Sequence, residues 1–105
     1  MKTRELPPRP EAQRQQALFD AISRLETAAE CRAFFKDLCT PTELQALADR
    51  WKAVLLLEQN IPYREIHQKT GVSVTTVGRV ARCLRDGEGG YSLVLSRMQE
   101  ENRDG

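Results

Sequence analysis

The segment 62–86, PYREIHQKTGVSVTTVGRVARCLRD, decides how this chain folds. Its pattern predicts two short helices broken at Gly71. Ile66 is the inward residue of the first, and Val74, Val77, Ala81 and Leu84 recur at helical spacing in the second. A tight turn between two helices needs a residue that accepts positive φ without a Cβ clash, and Gly71 stands where that turn falls. Ser73 follows as a natural N-cap, its hydroxyl able to accept from the free amides that open the next helix. Beyond the cap, the outward positions are Thr75, Thr76, Arg79 and Arg82. This is the layout of a helix-turn-helix, whose second helix enters the major groove of double-stranded DNA.

The residue types suit that geometry. Small hydroxyl side chains at the start of a reading helix allow close approach and can bond to bases or phosphates. Arginines further along neutralise phosphates or grip guanine with two hydrogen bonds. The candidate DNA-binding set is therefore Arg64, His67, Ser73, Val74, Thr75, Thr76, Arg79 and Arg82, with His67 approaching a phosphate from the first helix. The plainer alternative is a solvated helical hairpin whose charges serve only solubility.

Charge distribution separates these readings better than the total does. The net charge of 105 residues is +1. Residues 62–86 carry five basic and two acidic side chains, a net of +3, while residues 87–105 carry two and four, a net of −2. The basic excess coincides with the proposed reading element, as electrostatic steering requires. A chain this short makes one domain with a small core, so a partner copy would add stability. Cys31, Cys39 and Cys83 have no C-x-x-C spacing and read as reduced thiols in a cytoplasmic protein. No metal site is expected from them or from the single histidine. Neither an export signal nor an apolar span of membrane length is evident.

Outward from the core segment, the reading is all-α with about six helices. Residues 1–10 hold three of the five prolines and are expected to form a flexible arm, with Pro10 placed to begin a helix. Residues 11–26 then form an amphipathic helix with Ala17, Leu18, Ala21, Ile22 and Leu25 on its apolar stripe. Thr27 caps a helix over 28–38, with Glu30 completing a capping box. Thr40, Pro41 and Glu43 open the next helix in the same way, and it runs to residue 58. Its AVLLL run at 53–57 makes it apolar around most of its circumference, which calls for cover on several sides. Residues 11–58 are expected to be the dimerisation core, 62–86 the helix-turn-helix, and 91–105 a last helix with a frayed tail.

The span from Phe34 to Leu95 resembles the Trp repressor superfamily and, within it, the YerC/YecD branch. LCTPTEL at 38–44 leading into ADRWKAVLLL, then YREIHQKTGVSVTTVGRVARCL, then DGEGGY carry the resemblance. It implies an intertwined homodimer with two reading heads outside a shared core, acting as a transcriptional repressor. It also implies an effector pocket in which tryptophan lies between two arginines. Arg50 and Arg79 match those positions, Thr40 matches a residue lining the pocket, and Cys83 stands where the family pattern has a ligand-facing serine. Directly after Arg79 the pattern has glycine, whereas this chain has Val80. A β-branched side chain in that slot argues that the effector is not L-tryptophan.

No nucleophile–base constellation, glycine-rich phosphate loop or metal-ligand cluster appears, so neither an enzyme nor a cofactor is expected. Two alternatives stand beside the DNA-binding repressor: a helical module that docks a protein through the same hairpin, and a repressor that does need tryptophan.

Overall fold

The computed structural model describes residues 9–104, which form six helices and no strand. They are α1 (Pro10–Ile22), α2 (Ala28–Leu38), α3 (Pro41–Glu58), α4 (Tyr63–Thr70), α5 (Val74–Asp86) and α6 (Gly90–Asp104). The chain divides into two compact units, Met1–Thr40 and Pro41–Gly105. The arm expected over residues 1–10 lies mostly outside the described residues. Pro10 itself opens α1.

In the first unit, α1 stops earlier than its apolar stripe suggested. The Ser23 amide still bonds to the Phe19 carbonyl, but Arg24 and Leu25 donate three residues back, to Ala21 and Ile22. The Ser23 hydroxyl donates to the Asp20 carbonyl at 2.7 Å, offering the backbone an alternative to another helical turn. Leu25 therefore lies beyond the helix, just after the turn at Ser23 and Arg24. α2 starts on the cap its sequence dictates, but the reciprocal bond of the expected capping box goes to Glu26 and not to Thr27. Thr27 Oγ1 accepts from the Glu30 amide at 3.1 Å, and the Glu30 carboxylate accepts from the Glu26 amide at 2.9 Å. Neither helix contains a buried residue, and Phe19 and Leu38 are both more than half exposed.

The second unit is built on α3, which packs against α4 and α5 as they pack on each other. Ala53, Leu56, Ile66 and Val77 form the shared core, with Leu57, Ile61 and Val72 against it. α3 ends in a Schellman motif. The Ile61 amide reaches back to the Leu56 carbonyl, the Asn60 amide to that of Leu57, and Asn60 takes φ 62°. Asparagine is among the few side chains that tolerate this left-handed conformation. The accompanying apolar contact is present, because Ile61 packs on the cluster that contains Leu56.

α6 begins against α3, with the Tyr91 ring 6.2 Å from that of Trp51. It runs to Asp104 where a frayed tail was expected, since Gln99, Glu100, Glu101 and Arg103 are straight-chain residues that favour helix. No described side chain of α6 is buried, and Leu93, Val94 and Met98 are among the exposed large hydrophobics.

Candidate nucleic-acid interface

The turn between α4 and α5 follows from three adjacent residues. Gly71 adopts φ 79° as the C-cap of α4, and its amide closes on the His67 carbonyl at 2.8 Å. A Cβ here would meet no atom within 4 Å, so the backbone angle, not crowding, calls for glycine. Ser73 caps α5, its Oγ accepting from the Thr76 amide at 3.1 Å. The same hydroxyl donates to Thr76 Oγ1 at 3.0 Å. A hydroxyl has one hydrogen to give, so Ser73 as it stands is committed to building the helix start.

One face of α5 is buried through Val77, Val80 and Ala81. Val74, expected inward from its spacing, is 47% exposed instead, and Val80 takes its place in the buried stripe. Val74 is the first residue of the helix, and apolar spacing alone does not say how far a neighbouring helix extends to cover an end. Thr75, Arg79 and Arg82 are exposed with Val74, whereas Thr76 is half-buried. The outer arc of α5 thus carries an apolar contact, a free hydroxyl and two guanidinium groups.

Gly78 and Tyr63 join this surface without having been picked out from the sequence. Gly78 lies one turn from both Thr75 and Arg82, leaving a gap where another residue would project a side chain. A Cβ there would sit 3.8 Å from the Tyr63 ring, so that aromatic flanks the gap. A lone glycine inside a helical pattern reads only as a stability cost, and its place on the outer arc shows once the buried face is known.

The ion pairs sort the five bases of segment 62–86. Lys69 Nζ lies 3.7 Å from Glu65 Oε2, and Arg85 Nε 3.7 Å from Asp86 Oδ2. Exposed pairs of this kind add little stability, but they locally neutralise both acids of the segment. Among the described residues, Arg64, Arg79 and Arg82 have no ion-pair partner. The excess of +3 therefore resides on three exposed arginines, two of them on the outer arc of α5. His67, also exposed, holds the Val72 carbonyl through Nδ1 at 2.8 Å.

Of the residues expected at an effector pocket, Arg50, Arg79 and Cys83 all belong to the second unit. Arg50 is half-buried on an open depression of about 300 Å³ between α3 and the turn, together with Asp49, Thr70, Ser73 and Thr76. Arg79 and Cys83 do not line it. Thr40 closes the first unit. Val80 is only 1% exposed, so its side chain is packed in protein. No group of three or more His, Cys, Asp or Glu among the described residues could hold a metal ion, and no helix is long and apolar enough to cross a membrane.

Comparison with known proteins agrees with this architecture. The profile of the family described as Trp repressor protein matches residues 13–99, which extends the likeness to α1 and α2. YerC of Bacillus subtilis (strain 168) is 41% identical over 83 residues, covering 79% of this chain and 80% of YerC. The crystal structure of a TrpR-like protein from Eubacterium eligens superposes with a TM-score of 0.74 at 37% identity, covering 83% of this chain and 90% of the other. A candidate Trp repressor from Staphylococcus aureus gives the same TM-score at 40% identity, with 83% and 87% covered. The six-helix order, the glycine turn with its capped second helix, and a profile match over most of the chain converge. This chain belongs to the Trp repressor protein family.

Proposed function

We propose that the protein is a sequence-specific regulator of transcription, in the simplest case a repressor, that binds double-stranded DNA as a homodimer. The observation that carries this reading is the trio Arg64, Arg79 and Arg82, exposed, without ion-pair partners among the described residues, and set on a helix-turn-helix. Phosphate neutralisation by such groups supplies most of the affinity of DNA readers. On the outer arc, Thr75 and Arg82 face base edges across the gap at Gly78, with Val74 against a thymine methyl. Arg64 and Arg79 hold the backbone and set register. Incubating the protein with genomic fragments at physiological salt and sequencing what it retains tests this. One recurrent, two-fold related motif is expected; a retained pool no different from the input would refute it.

The dimer rests on uncovered apolar surface. α1 and α2 contain no fully buried residue, and α6 exposes Leu93, Val94 and Met98. Burying such side chains is worth about 1.5–3 kcal/mol each, which a second copy can supply with self-complementary faces. Sedimentation at micromolar concentration should give about twice the 11.9 kDa chain mass. A stable folded monomer under those conditions would sink the dimer.

DNA binding should not require L-tryptophan. A flat ligand beside Arg79 needs space next to α5 where Val80 is packed, and overpacking costs about 1–3 kcal/mol. Cys83 also offers a weaker donor than serine. DNA affinity with and without L-tryptophan should agree within about twofold. Micromolar tryptophan binding coupled to a tenfold gain in affinity would show the effector argument to be wrong. With no such dependence, the dimer acts in the cytoplasm either constitutively or under another signal.

A further inference from the structure

We infer that His67 and Thr70 are positioning residues that clamp the backbone of Val72 and so fix where α5 meets DNA; this rests on the DNA-binding reading above. Gly71 swings the chain through the left-handed region with open space where a side chain would be, so it permits many turn directions. Val72, the next residue, is held from both sides. Its amide donates to Thr70 Oγ1 at 3.0 Å, and its carbonyl accepts from His67 Nδ1 at 2.8 Å. Both side chains come from α4, and Val72 directly precedes the cap Ser73.

Each bond has a fixed polarity. Thr70 Oγ1 spends its hydrogen on the Ile66 carbonyl at 2.8 Å, which leaves the oxygen free to accept from Val72. A carbonyl oxygen can only accept, so His67 Nδ1 must carry a hydrogen. In the neutral ring this selects the tautomer with its hydrogen on Nδ1. Hydrogen bonds thus run from the Ile66 carbonyl inside α4, through Thr70, to Val72, the residue before the α5 cap. Ile66 is fully buried, which anchors the series in the core. The sequence placed His67 at a phosphate; in the structure Nδ1 is taken by the turn, and the two roles need different ring nitrogens.

Amide substitutions separate those roles. The side-chain amide of asparagine reaches roughly as far as Nδ1, and that of glutamine roughly as far as Nε2. His67→Asn should keep DNA affinity within about twofold, while His67→Gln, His67→Ala and Thr70→Val each lose about three- to tenfold, the share of one hydrogen bond. In the free wild-type protein, ¹⁵N shifts of the neutral His67 ring should identify Nδ1 as the protonated nitrogen. The Val72 amide should exchange faster with solvent in Thr70→Val. Rescue by glutamine and not asparagine would overturn the clamp in favour of a phosphate contact. Equal affinity in all four variants, or a neutral ring protonated at Nε2, would also overturn it. If the wild type retains no duplex at all, the DNA-binding reading fails instead, and ring shifts and amide exchange in the free protein still decide the clamp.

Discussion

Replacing Ile66 by alanine is expected to cost about 2–5 kcal/mol of stability, as the loss of a large aliphatic side chain from a closed site does. Ile66 is fully buried where α3, α4 and α5 meet, together with Ala53, Leu56 and Val77. Four of the seven buried hydrophobic residues among those described make up this cluster, so little other packing can absorb the cavity. Small domains are stable by only about 5–15 kcal/mol, and the variant should sit near the lower edge of folding. Urea denaturation followed by circular dichroism measures it. A loss below about 1 kcal/mol would mean that the three-helix core is not what holds the reading head together.

The second large effect is on binding. Removing both Arg79 and Arg82 should weaken affinity for the retained duplex by about 2–6 kcal/mol, the sum of two contacts worth about 1–3 kcal/mol each. The two lie one turn apart on α5, so some coupling is expected and the lower half of that range is favoured. The single variants assign roles. An arginine on phosphate should flatten the salt dependence by about one unit, whereas one that reads a base should relax preference at a single position. Fluorescence anisotropy with labelled duplex gives both quantities. A double variant within threefold of wild type would remove α5 from the interface.

Local chemistry made much of this legible from sequence. Thr27 with Glu30, Ser73 before its hydroxyl-rich helix, and Gly71 between two periodic runs each specify a backbone conformation within a few residues, and the structure contains all three. Choices made by tertiary contact were harder to see. Val74 and Val80 are both apolar and both near the buried stripe; which one is covered depends on how far α3 and α4 extend along α5. Leu25 continued the apolar stripe of α1, but the Ser23 hydroxyl ends the helix before it. The role of Gly78 needed the outer arc to be known. The clamp on Val72 joins residues up to five apart across a turn, a geometry that spacing does not encode.

The central claim is that α4 and α5 bind DNA through arginines without ion-pair partners among the described residues. Its most direct test is the affinity of the wild-type protein for its retained duplex, measured as salt is raised. With Arg64 and Arg79 of each protomer on the backbone, the proposed dimer makes about four phosphate neutralisations, for a slope of log K against log[salt] of roughly −4. A steep linear fall of that order is the predicted result. A slope near zero would contradict it and would point to a hairpin that docks protein instead.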